Sequence, residues 1–205
     1  MFASAYSRRP TRPLALVAAL LVIGGCATQK GVDLPDISDW DRRTAVLAGL
    51  DQWEFSGRIG VKAGDDGFNG KLRWYQDEGA FRATVGGPLG VGTVRIEGDG
   101  RVVELTDKDG ETTVLADVEP DLYYRYGWTI PVESLRYWAL GIPDPRVPAA
   151  TEFAEDGSLS RLEQRGWSVT IGRYREAGGQ SMPSRLVAEN TETTVRLVID
   201  RWVFR

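Results

Sequence analysis

The chain has 205 residues, 25 basic and 29 acidic, a formal net charge of −4 and no histidine. Without histidine there is no Ser-His-Asp or Cys-His catalysis and no histidine-ligated zinc, and the acidic balance speaks against nucleic acid as a partner. A single cysteine, Cys26, leaves no disulfide and no cysteine-rich metal site.

Residues 1–25 carry Arg8, Arg9 and Arg12, then ten apolar residues from Leu14 to Ile23, then Gly24-Gly25 ahead of Cys26. A basic start, a short apolar stretch and small residues before the cut make a secretory signal peptide, and cleavage before Cys26 would leave its thiolate as the attachment point for a covalent lipid. The apolar stretch is half of the roughly 20 residues that a membrane span requires. The remaining 180 residues hold 22 basic and 29 acidic side chains, a net of about −7, and suffice for one domain with a substantial core. Residues 26–37, with Gly31, Pro35 and Asp36, read as a lipid-anchored flexible tether, and residues 38–205 as the single domain.

A helix is expected to start near Ser38 or Asp39, with Trp40, Leu47 and Leu50 on one side. From Trp53 the period changes to two. Trp53, Phe55, Ile59 and Val61 alternate with Glu54, Ser56, Arg58 and Lys62, the pattern of a strand with one buried face. After the turn Gly64–Gly67 the alternation recurs through Phe68, Leu72 and Trp74, then Phe81, Ala83 and Val85, then Val94 and Ile96, then Val103 and Leu105. Turns every eight to twelve residues predict a hairpin-linked antiparallel meander curling toward a barrel. Residues 117–126 have helical spacing up to Gly127, and a second helix fits Pro131 to Leu140, with Gly141 as its stop and Leu135, Trp138 and Ala139 as an apolar stripe. The proline-rich run 142–148 reads as an extended loop. Strands resume at 159–164, 167–174, 185–189 and 193–204, with a change of phase near Asp200 that indicates a bulge. The expected fold is mainly β: a curved antiparallel sheet forming an unclosed barrel, its concave apolar face covered by two or three helices.

Other motifs carry little. Asp107-Lys108-Asp109-Gly110 lacks the later ligands of a calcium loop and fits a hairpin turn better. The glycines of Gly57-x-x-Gly60 and Gly90-x-Gly92 lack the setting of a phosphate cradle. Paired carboxylates for glycoside hydrolysis remain possible, but no constellation singles them out. The seven tryptophans serve either as core or as the lining of an apolar cavity.

Several runs, in this order and spacing behind a lipoprotein signal, resemble the LolB family of outer-membrane lipoprotein receptors. They are Leu72-Arg73-Trp74-Tyr75-Gln76, Gly87-Pro88-Leu89-Gly90, Gly127-Trp128-Thr129-Ile130-Pro131, Trp138-Ala139-Leu140-Gly141-Ile142-Pro143, Gln164-Arg165-Gly166-Trp167, Met182-Pro183 and Val198-Ile199-Asp200-Arg201-Trp202. The resemblance implies an unclosed β-barrel with a helical lid over a hydrophobic cavity for acyl chains. It further implies acceptance of lipoproteins from a LolA-like periplasmic carrier and their insertion into the outer membrane, with no enzymatic step, no cofactor beyond the lipid on Cys26, and a monomeric receptor anchored on the periplasmic face. In that family a leucine in a Pro-Leu-Gly loop projects into solvent and delivers cargo to the membrane, which here is Leu89, between Pro88 and Gly90. Read from the residues alone, the segment 86–92 is too rich in glycine for a regular strand, and Leu89 could either project or fold back on the sheet. Ala27 is not the aspartate that commonly retains lipoproteins in the inner membrane of Gram-negative bacteria, so outer-membrane anchoring is expected.

The alternation nominates Trp53, Phe55, Ile59, Val61, Leu72, Trp74, Val94, Ile96, Trp167 and Val169 as cavity wall, each of which could equally be ordinary core. Leu122, Tyr126, Leu135 and Trp138 are the lid-helix candidates. The rival reading is a lipid-anchored structural or envelope-assembly β-domain with a solid core.

Overall fold

The structure, a computed structural model, describes residues 31–87 and 93–205. Helix α1 (Trp40–Ala48) starts at Asp39, whose carboxylate accepts a hydrogen bond from the Arg42 amide and so satisfies one of the free N–H groups of the first turn. Six strands follow: β1 (Gln52–Ala63), β2 (Asp66–Asp77), β3 (Ala80–Gly86), β4 (Val94–Gly98), β5 (Val103–Thr106) and β6 (Thr112–Leu115). Helices α2 (Val118–Tyr126) and α3 (Val132–Leu140) each end at a glycine in the left-handed region, Gly127 and Gly141, as the sequence predicts. Strands β7 (Ala150–Phe153), β8 (Leu159–Gln164), β9 (Trp167–Ala177), β10 (Gln180–Glu189) and β11 (Thr193–Phe204) complete the chain.

All eleven strands form one antiparallel sheet in the order β6-β5-β4-β3-β2-β1-β11-β10-β9-β8-β7. Two meanders are therefore joined where the first long strand pairs the last, and β6 and β7 are left as unpaired edges, so the barrel is open. The chain passes from one edge to the other through α2, α3 and the loop 141–149, which places the helices against the sheet's apolar face. The β1–β11 register shifts between Ser56 and Gly57, with Asp200 as the extra residue, and this is the bulge that the phase change indicates.

Three expectations are corrected. Of the tether, the described residues 31–37 are packed: the Val32 amide donates to the Phe204 carbonyl at 2.9 Å, the Leu34 amide to the Gly178 carbonyl at 2.7 Å, and Leu34 and Ile37 are buried. The helix α3 has no single apolar stripe, because Val132, Ser134, Leu135 and Tyr137 to Leu140 are all buried. The strand β10 begins at Gln180 rather than Arg185, since Pro183 sits beside a register shift, where a missing N–H is tolerated.

Candidate functional site

The sheet's inner face is divided by side-chain size. At one end Phe81, Trp74, Phe55 and Trp202 pack ring to ring, with centroids 5.1, 6.1 and 5.1 Å apart in succession, and leave no room. At the other end the same strands present Ile59, Leu72, Ala83, Val85, Val94 and Ile96, which are too short to reach the helices. A cavity of about 220 Å³ remains there, bounded by Trp74 on the aromatic side and closed over by Trp128, Ile130, Val132 and Leu135. Among the described lining residues Asn69 is the only one with a polar side-chain amide or charge.

The cap is the junction of α2 and α3 with the first turn of α3. Gly127 stops one helix and Pro131 starts the next, so Trp128 to Ile130 must bridge them across the cavity. The Trp128 ring lies 4.8 Å from Phe68 and 5.3 Å from Tyr126. The Thr129 hydroxyl donates to the Glu119 carbonyl at 3.2 Å and ties the bridge back to α2. Burial raises the Glu119 carboxyl above the ordinary range, partly offset by the hydrogen bond it accepts from Trp167 Nε1 at 3.4 Å.

Helix α3 is held from below by a buried polar cluster. Trp138 Nε1 donates to Gln164 Oε1 at 2.8 Å, and Gln164 Nε2 donates to the carbonyls of Asp144 and Val147 at 2.9 and 2.7 Å. Asp144, wholly buried, accepts from Ser134 Oγ at 3.1 Å and from Arg146 Nε and Nη2 at 2.9 and 2.8 Å. Helix α1 adds the Arg43 guanidinium, which donates to the Leu140 and Ser181 carbonyls at 3.4 and 3.0 Å. Beneath it, burial pushes the Tyr174 hydroxyl up to about 12, and that hydroxyl donates to the Leu159 carbonyl at 2.8 Å.

The nominated cavity residues separate into two groups. Ile59, Leu72, Trp74, Val94 and Ile96 lie on the cavity wall, and Leu135 faces it from the cap. Trp53, Phe55, Val61, Trp167 and Val169 are buried away from it. Trp53 and Phe55 belong to the aromatic layer. Trp167 packs 6.3 Å from Trp138 where α3 closes tightly on the sheet, and Val169 pairs with Leu162 and Ala188 in the same filled region. Leu122 is fully buried, whereas Tyr126 is 39% exposed and stands at the surface. Phe68, Ala83, Val85, Trp128, Ile130 and Val132 complete the wall without having been nominated. The small inward residues Ala83 and Val85, in phase with Trp74 across the hairpin, were the available signal. Cys26, Pro88, Leu89 and Gly90 lie outside the described residues; Gly87, directly ahead of Pro88, is on the cavity wall.

An open antiparallel sheet with helices against its concave face is a fold that has counterparts among solved structures of lipoprotein-sorting proteins. A LolA superfamily protein of Nitrosomonas europaea superposes with a TM-score of 0.52 at 8% identity, covering 77% of this chain and 87% of that one. A putative outer membrane lipoprotein-sorting protein domain of Vibrio parahaemolyticus gives 0.50 at 8% identity, covering 80% and 90%. The family model described as outer membrane lipoprotein LolB matches residues 51–202. The outer-membrane lipoprotein LolB of Nitrosococcus oceani is 31% identical over 91% of this chain and 94% of its own, and that of Pseudomonas aeruginosa PAO1 is 32% identical over 90% and 92%. The chain belongs to the LolB family, and with it to the lipoproteins of the Gram-negative outer membrane.

Proposed function

We propose that the chain is an acceptor of lipoproteins: it receives them from a LolA-like periplasmic carrier, shields their acyl chains in the cavity, and releases them into the outer membrane to which the lipid on Cys26 holds it. The observation that carries this reading is the apolar cavity itself, walled by aliphatic and aromatic side chains; among the described lining residues only Asn69 has a side-chain amide or charge, and it stands on the outward phase of β2. A lipoprotein's three acyl chains each favour an apolar environment over water by roughly 10 kcal/mol, at about 0.8 kcal/mol per methylene. Enclosure alone suffices to carry them, so no reaction step is needed, and transfer runs downhill in affinity from carrier to receptor to bilayer. At about 220 Å³ the cavity is smaller than the roughly 300–1,000 Å³ of ordinary ligand sites. Cargo entry therefore requires the cap of Trp128, Ile130, Val132 and Leu135 to lift.

The test mixes the chain from Ala27 onward, which keeps every described residue, with carrier loaded with radiolabelled lipoprotein. Transfer of label to the chain supports the reading. Label that stays on a carrier able to release it to an authentic acceptor leaves a lipid-anchored β-domain with some other task. In the lipidated chain, Leu89→Glu is expected to accept cargo normally and to deliver it to vesicles at least tenfold more slowly; unchanged delivery removes Leu89 from the release step.

A further inference from the structure

The outer face of the sheet, on the side away from the cavity, carries two neighbouring cross-strand rows of positive charge. Register sets Gly86, Lys71, Arg58, Val198, Arg185 and Arg173 side by side across β3, β2, β1, β11, β10 and β9. In the adjacent row Arg95, Thr84, Arg73, Ser56 and Arg201 align across β4, β3, β2, β1 and β11. Every basic side chain in both rows is exposed, and neither row contains an acid. Asp200, the bulge residue, reaches Arg58 at 3.0 Å, and Glu97 reaches Arg95 at 3.5 Å. Among the described residues Lys71, Arg73, Arg173, Arg185 and Arg201 form no ion pair, and the sequence 88–92 has no charge to offer them.

Like charges placed directly opposite on paired strands destabilise a sheet. Arg58 faces Lys71 and Arg173 faces Arg185 in this way, in a chain that has more acids than bases. The excess positive charge on one broad face fits an extended anionic surface rather than a single small ion. Its row begins at Gly86, at the root of the segment that holds Leu89, so a bilayer met by Leu89 lies beside it. We propose that this face rests on the phosphate groups of the membrane lipids and fixes the orientation in which the receptor releases its cargo. The inference rests on the reading above, both in taking Leu89 as membrane-facing and in taking the chain as a receptor that releases cargo there.

The experiment uses the lipidated chain reconstituted in vesicles of phosphatidylethanolamine with and without phosphatidylglycerol. A fluorophore on Thr84→Cys, whose thiol is the only free one once Cys26 is acylated, reports contact with a headgroup-attached quencher. Quenching is expected to rise with phosphatidylglycerol, to fall with added salt, and to drop about fivefold in its equilibrium for each charge removed by Lys71→Gln and Arg73→Gln. Lys71→Arg should restore it, which separates charge from shape. Quenching that ignores salt and both substitutions overturns the proposal, as does a loss of cargo acceptance from the carrier at unchanged quenching, which would assign the face to an acidic protein partner. Failure of the unsubstituted chain to accept cargo, whatever its quenching, counts against the receptor reading instead.

Discussion

Asp144 keeps a negative charge in a wholly buried position on the loop beneath α3, and such a charge persists only where donors surround it. Burial would raise its carboxyl, but the hydrogen bonds from the Arg146 side chain and amide and from Ser134 outweigh that and hold it below the ordinary carboxylate value. A lowered folded value stabilises the protein above the ordinary carboxylate range, and that stability disappears as pH falls through the ordinary value to the lowered one. Thermal unfolding followed from neutral to acid pH should therefore show a loss of stability that Asp144→Asn flattens. At neutral pH the substitution should cost about 2 kcal/mol, the worth of a hydrogen bond to a charged group. An Asp144→Asn protein with the parent's acid slope would place the titrating group elsewhere. Glu119, raised by burial, opposes this effect: its contribution is lost as pH rises through its own shifted value.

The joint between the two meanders is the most constrained element of the fold. A Cβ added to Gly57 would overlap the carbonyl oxygen of Val198 on β11, and backbone at a bulge has little freedom to retreat. Gly57→Ala should cost at least about 2 kcal/mol, measured by denaturant unfolding, whereas Gly60→Ala, on the same strand β1 but with a Cβ that meets only Asn69 of β2 at 4.0 Å, should be within about 0.5 kcal/mol of the parent. Equal midpoints for the two variants would show that the bulge yields. The strand β1 announces itself in the sequence because Trp53 through Ala63 alternate between buried and partly or fully exposed without a break. The edge strands β6 and β7 do not: each is four residues long, and Ala150–Phe153 has no buried position, so period two has nothing to act on. The helix α3 hides its stripe by being buried nearly all round. The cavity was only half legible for a related reason. Alternation identifies which residues face inward, but whether an inward residue meets a helix or a void depends on its size and on what lies above it, which is tertiary information. The cationic rows were illegible because their members come from strands paired across the whole chain.

At the scale of the molecule, one sheet serves two purposes on its inner face, and the division between them fixes a trade-off. In the aromatic layer Trp53, Phe55 and Trp74 stack ring on ring, whereas the end around Ala83 leaves apolar surface facing a void, and unfilled space in a core costs stability. A protein selected for stability alone would fill it. Ala83→Leu adds apolar atoms at the cavity floor between Trp74 and Ile96, its partners on β2 and β4, and should raise stability by about 1 kcal/mol, or roughly 2–4 °C in Tm for a chain of this size. The same substitution should reduce uptake of a fluorescent fatty-acyl probe several-fold, because the added side chain occupies the space the acyl chain needs. Opposite movement of the two readouts is the signature of a void kept open for a ligand. A variant that is more stable and takes up the probe unchanged would put the acyl site somewhere other than this cavity, and a variant that is less stable would mean that the floor cannot accept volume and that the void is a packing defect rather than a chamber.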